Sequence, residues 1–168
     1  MKELLVVVDM QNDFVTGSLA NADAQKIVPR IAKKLKKTKK DVMFTMDTHD
    51  ENYLETFEGK KLPVKHCIKG TEGWKIVSEL GEYAVKSKAI VEKKSFGAVT
   101  LIQLIDEYDT IEFVGTCTDI CVVNTILLLR SFFPDKELIV DKKCCAGTSR
   151  KAHNAAILVM QNSQIDIK

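Results

Sequence analysis

The sequence predicts an α/β fold, a mainly parallel sheet of about six strands with helices on both faces. Three observations carry this. Short β-branched apolar runs alternate with longer stretches of helical period along the whole chain. The strand runs are nearly continuously apolar, the pattern of strands covered on both faces and joined by crossovers. The 168 residues suit one core, with no linker, repeat or composition shift, so a single domain over 1–168 is expected.

Strands are predicted at "LLVVV" (4–8), "VMFTM" (42–46), "AIVEK" (89–93), "TIEFVG" (110–115), "ELIVD" (137–141) and "QIDIK" (164–168). Helices are predicted at about 21–39, 72–80, 97–107, 119–132 and 149–162. In the first helix Ile27, Ile31 and Leu35 recur every four residues, while Lys33, Lys36, Lys37, Lys39 and Lys40 point elsewhere. That is an amphipathic helix with a solvated basic face. No aromatic residues interleave with the lysines and the formal net charge is only +2, so nucleic-acid binding is not expected. "ICVVNTILLLRSFF" is apolar nearly all round, which predicts deep burial or a subunit interface, and a homo-oligomer is the expectation. The connection 47–71 lacks periodicity, and loops of that length in a compact fold usually serve function.

The apolar run before Asp9 has five residues, too short for a signal peptide's central region or a membrane span. A cytoplasmic location without membrane association is therefore expected. Five cysteines, an odd number, make a poor disulfide framework in a reducing compartment. Free thiols follow.

In an open parallel sheet, ligands bind beyond the carboxyl ends of the strands. Asp9 follows the first predicted strand, Asp47 and His49 the second, Lys93 and Lys94 close the third, and Cys117 to Cys121 follow the fourth. Cys121 falls in the first turn of a helix, where unpaired N–H groups and the helix dipole lower a thiol's pKa. The alternative is a small buried packing group. Asp9, at the end of a buried strand, is desolvated enough to accept a proton, or else caps a turn. Lys93 or Lys94 could hold both groups by charge. Asp47, His49 and His66 offer one carboxylate and two imidazoles, the composition of an open catalytic metal site, with Cys67 a competing ligand.

The segments "VVVDMQNDF" (6–14), "DTH" (47–49), "LPVKHCIKGTEG" (62–73), "VEKKSFGA" (91–98), "GTCTDICVVNT" (115–125) and "DKKCCAGTSRKAHNAAILVM" (141–160) span almost the whole chain. Together they make the sequence resemble the isochorismatase-like cysteine hydrolases, and within them the nicotinamidase (pyrazinamidase) branch. The resemblance implies a three-layer Rossmann-like fold and an Asp-Lys-Cys triad on Asp9, Lys93 and Cys121, with Lys94 as the alternative lysine. It implies a divalent metal on Asp47, His49 and His66, zinc in the first place, with iron or manganese as alternatives. It further implies a cis peptide at Thr116–Cys117 and an oxyanion hole from the amides of Cys117 and Cys121.

The activity implied is hydrolysis of a small amide, nicotinamide to nicotinate and ammonia, through a thioester on Cys121, with the pyridine nitrogen on the metal. Where nicotinamidases commonly carry an aromatic residue before the second metal histidine, "LPVKHC" places Pro63 and Val64. Phe14 and Trp74 are the remaining candidates to wall the substrate ring. A related carbamoyl hydrolase is the alternative within the superfamily. A metal-binding or thiol-sensing protein on the same fold is the alternative outside catalysis.

Overall fold

A computed structural model describes residues 1–168. Its centre is a six-stranded, all-parallel sheet: β1 (Glu3–Val8), β2 (Asp41–Asp47), β3 (Ala89–Lys93), β4 (Thr110–Thr116), β5 (Glu137–Ala146) and β6 (Asp166–Ile167). The spatial order is β3-β2-β1-β4-β5-β6, so the order reverses between β1 and β4. A crevice opens at such a reversal, beyond the strands' carboxyl ends.

Side-chain alternation divides the core into two layers. Leu4, Val6 and Val8 of β1 face one layer, with Ile126 and Leu129 of helix α6 (Val123–Phe132) and Met160 of α7 (Arg150–Asn162). Leu5 and Val7 face the other, with Ile27, Ile31 and Leu35 of α2 (Ala22–Lys37) and Leu80 of α4 (Ser78–Val85). The side chain of Asn21 caps α2 by accepting from the amides of Asp23 and Ala24. Three short helices complete the set: α1 (Asn12–Val15), α3 (Phe57–Lys61) and α5 (Leu101–Leu104).

Several expectations shift. The helix predicted at 72–80 forms instead at Ser78–Val85, because Asn12 and Asp13 donate backbone N–H bonds to the carbonyls of Lys75 and Gly73 and tie that stretch down as a loop. The helix predicted over 97–107 shrinks to Leu101–Leu104, and the strand over 164–168 to Asp166–Ile167. β5 runs on to Ala146, past the polar Lys142 and Lys143, with a register break opposite Phe113 to Gly115 of β4. The 47–71 connection contains a 3-10 turn at Tyr53–Glu55 as well as α3.

The lysine stretch is not solvated throughout. Glu112, on central strand β4, is 4% exposed and sits beneath α2. Lys34 reaches it at 2.6 Å and Lys40 at 2.7 Å, and Lys34 also meets Asp141 at 2.8 Å. A buried carboxylate demands such partners, which corrects the placement of Lys40 on a free basic face. No helix is long and apolar enough to cross a membrane.

Candidate active site

Strand register assembles the site. Val8 pairs with Thr45 on one side and with Gly115 on the other, and Asp47 pairs with Lys93. The residues just past these pairs, Asp9 from β1 and the Thr118–Val122 turn from β4, stand astride the reversal point. Gly115 makes the approach possible: its φ is +125°, and a Cβ there would collide with the carbonyl oxygen of Val8.

Asp9 is wholly buried with a left-handed φ of 48°, a conformation that costs free energy and persists only where the surroundings enforce it. Thr45 supplies part of that enforcement. Its hydroxyl donates to Asp9 Oδ1 at 2.6 Å, and its carbonyl accepts from the Asp9 amide at 3.2 Å. Lys93 Nζ lies 2.8 Å from Asp9 Oδ2, 3.3 Å from Asp47 Oδ1 and 3.3 Å from Cys121 Sγ. It also donates to the carbonyl of Ser95 at 3.1 Å.

The alternative lysine points away: Lys94 is exposed and pairs with Asp50 at 2.8 Å. Cys121 is 4% exposed and lies in a π-helical turn, Thr118–Val122, that leads into α6. The Thr116–Cys117 peptide is cis.

The charges set the proton affinities. Burial raises the Asp9 carboxyl above its ordinary range against the pull of Lys93. Burial opposes charge on Lys93, but Asp9, Cys121 and Asp47 outweigh it and hold the ammonium protonated. Burial and the Asp9 carboxylate push the Cys121 thiol well up, with Lys93 the chief opposing influence. The helix-dipole expectation of a lowered thiol pKa is therefore corrected. At this buried position desolvation and a neighbouring anion outweigh one helical turn, so the thiolate needs a base to form.

Beside this trio, Asp47, His49, Glu58 and His66 converge, one ligand atom from each lying within 4.8 Å of every other. His49 Nε2 lies 3.0 Å from Asp47 Oδ2, and His66 Nε2 lies 3.6 Å from both Asp47 Oδ2 and Glu58 Oε1. The Nδ1–H of His66 donates to the Val64 carbonyl at 2.8 Å, which leaves the Nε2 lone pair facing the cluster. Two imidazoles and two carboxylates, three of the four residues buried, fit a divalent cation of the borderline class such as zinc. Cys67 is not among them, and burial takes its thiol far above the usual range.

Glu58 lies outside the ligand set that the sequence implies. Its only local signal is a place in α3 eight residues ahead of His66, within a stretch without periodicity. The other polar residues of "MQNDF" serve as ties. Gln11 accepts from the Asp47 amide and donates to the Asp47 and Trp74 carbonyls, all at 2.8 Å. Asp13 accepts from the amide of Cys67, next to His66, at 2.8 Å.

A cavity of about 1270 Å³ opens over this floor, lined there by Asp47, His49, Glu58, His66, Cys117 and Cys121. Phe14 forms part of its wall, with its ring centroid 5.6 Å from that of His66. Trp74, the second aromatic candidate, does not line the cavity. Its indole N–H donates to Thr48 Oγ1 at 2.9 Å, and the ring is held behind the metal-ligand loop.

The isochorismatase domain model matches residues 3–167. The chain belongs to the isochorismatase family. Within it, an uncharacterized isochorismatase family protein, PncA of Bacillus subtilis, is 27% identical over 179 residues, covering 97% of this chain and 96% of the relative. The pyrazinamidase of Pyrococcus horikoshii, crystallised in complex with zinc, superposes with a TM-score of 0.86 at 25% identity, over 100% of this chain and 99% of that one. The pyrazinamidase/nicotinamidase of Streptococcus mutans superposes with a TM-score of 0.84 at 25% identity, over 99% and 100%.

Proposed function

We propose that this isochorismatase-family protein is a cysteine amidohydrolase that converts nicotinamide, or a close aryl carboxamide, to the acid and ammonia. The observation that carries the reading is Lys93, within reach of both the Asp9 carboxylate and the sulfur of Cys121, the member of the trio that lines the cavity. Relatives that are a pyrazinamidase and a pyrazinamidase/nicotinamidase support the substrate class.

In this reading Asp9 accepts the Cys121 proton, and the sulfur attacks the carboxamide carbon as the carbonyl π electrons move onto oxygen. The amides of Cys117 and Cys121 stabilise that oxyanion, a contribution of about two to three powers of ten per donor. The C–N bond breaks, Asp9 returns its proton to the departing ammonia, and an acyl thioester remains on Cys121. Asp9 then takes a proton from water, whose oxygen adds to the thioester carbon. The C–S bond breaks, Asp9 returns that proton to the departing Cys121 sulfur, and the carboxylic acid is released.

Lys93 keeps its charge throughout, holding Asp9 near the sulfur and limiting the cost of burying a carboxylate. Asp47, His49, Glu58 and His66 would hold the divalent metal. When bound, it supplies a Lewis-acidic anchor that orients the substrate's ring nitrogen. Phe14 supplies one apolar wall for the ring.

Ammonia release from nicotinamide, set against a panel of carbamoyl compounds, tests the reading. Turnover of nicotinamide that disappears in Cys121→Ser supports it. Turnover of the carbamoyl compounds alone would replace the substrate, and no turnover with slow, unselective thiol labelling would remove the catalytic role.

A further inference from the structure

The cavity is far larger than the substrate just assigned to it. Clefts that bury a drug-sized ligand have volumes of about 300–1,000 Å³, and this one has about 1270 Å³. One pyridine ring with its carboxamide on Cys121 leaves most of that space unfilled. The cavity's lining mixes polar residues such as Lys61 and Lys94 with exposed apolar side chains: Phe57 is 79% exposed, Phe96 43% and Leu62 39%.

Soluble proteins seldom leave large apolar side chains clustered in water without a use for them. Leu19 and the small Ala20 also line the cavity. The metal-ligand group and Cys121 occupy the same space, so a molecule that covers these side chains would also present atoms to the reacting sulfur.

We infer that the preferred substrates are aryl carboxamides extended by a second apolar group, a further ring or its equivalent, which covers Phe57, Leu62 and Phe96 while the amide sits on Cys121. The inference rests on the amidohydrolase reading and narrows it to a substrate class. Phe57 and Leu62 are then specificity residues, acting on binding of the extension and not on the chemistry at sulfur. Phe57 sits on α3, the helix that also carries Glu58, so the extension would lie against the helix that completes the metal group.

The test compares nicotinamide with a set of nicotinamides carrying one phenyl group at each free ring carbon in turn. Ammonia release is measured with the metal-loaded wild type and with Phe57→Ser and Leu62→Ser. These side chains lie outside the core, so the substitutions do not threaten the fold. At least one phenyl isomer is expected to exceed nicotinamide in kcat/KM, mainly through KM. Phe57→Ser or Leu62→Ser is expected to reduce that preference about fivefold or more, as loss of apolar cover from a ring implies.

Every phenyl isomer falling at or below nicotinamide would overturn the inference and leave the amidohydrolase reading standing. So would a preference that neither substitution changes. A second copy of the chain covering these side chains would show itself as a preference unaffected by Phe57→Ser together with a changed elution volume, and that too overturns it. Inactivity toward every amide, nicotinamide included, would remove the reading and the inference with it.

Discussion

Lys93 Nζ lies 2.8 Å from Asp9 Oδ2, with both side chains almost wholly buried, and the same nitrogen lies 3.3 Å from Cys121 Sγ. In the proposed mechanism a cation between this base and this nucleophile has two consequences. It lowers the cost of a carboxylate in a dry site, and it keeps the proton's donor and acceptor together. Lys93→Met leaves Asp9 as an uncompensated buried acid that protonates and can no longer accept the thiol proton. Activity is expected to fall about a thousandfold or more, with a loss of about 3 kcal/mol in stability. Steady-state kinetics and thermal unfolding measure the two. Lys94→Met, which removes only an exposed pair with Asp50, has the smaller effect on both.

Glu58 is the fourth of the residues that would hold a metal, yet nothing in its sequence neighbourhood marks it as one. Glu58→Gln keeps the shape and removes the charge, so the protein is expected to bind zinc about tenfold or more weakly by chelator competition. His66→Ala removes a ligand outright and weakens binding further. Equal zinc affinity in wild type and Glu58→Gln would take Glu58 out of the coordination sphere.

What the sequence made legible follows the physics of each segment. β1, β2 and β4 read clearly because burial on both faces makes their runs largely apolar, edge strand β3 keeps only a short run with Ile90 exposed, and Asp9, Asp47, Lys93 and Cys121 fall at or just beyond the strand ends. β5 reads short because Lys142 and Lys143 interrupt the apolar run, although the backbone, after a register break, pairs with β4 again up to Ala146. The stretch around Trp74 looked helical because its bonds go to Asn12 and Asp13, and long-range ties leave no local trace. Glu58 and the cavity walls from Leu19 and Phe57 were out of reach for the same reason: they meet the site through the path of a loop.

Gly115 and Gly81 provide opposed tests of backbone fit. Gly115→Ala places a methyl against the Val8 carbonyl in a conformation that L side chains rarely adopt. A loss of about 3 kcal/mol is expected, and activity should fall as well because β1 carries Asp9. Gly81 lies in α4 with open space where a Cβ would go. Gly81→Ala is expected to stabilise the protein by about 0.5–1 kcal/mol without a loss of activity. Chemical denaturation measures both.

The carboxylates under α2 set the acid side of the stability profile. Burial alone would raise Glu112 and Asp141, but the Lys34 ammonium, joined at Glu112 by Lys40, outweighs it and holds both below their ordinary ranges. A group with a depressed folded pKa contributes stability above its unfolded pKa and loses it as pH falls through the folded value. Stability is therefore expected to be full near neutrality and to decline as pH falls below about 4.5. Glu112→Gln should flatten that decline and cost about 1–3 kcal/mol at pH 7, measured as unfolding free energy against pH.

The central claim is that Asp9 deprotonates Cys121 so that the sulfur attacks the amide. Rapid acid quench of the working enzyme with nicotinamide, followed by peptide mass spectrometry, tests it most directly. The account predicts a nicotinoyl group on the peptide containing Cys121, present in wild type and absent in both Asp9→Asn and Cys121→Ser. Ammonia release at an undiminished rate by Cys121→Ser, with no acylated peptide at any time point, would contradict it.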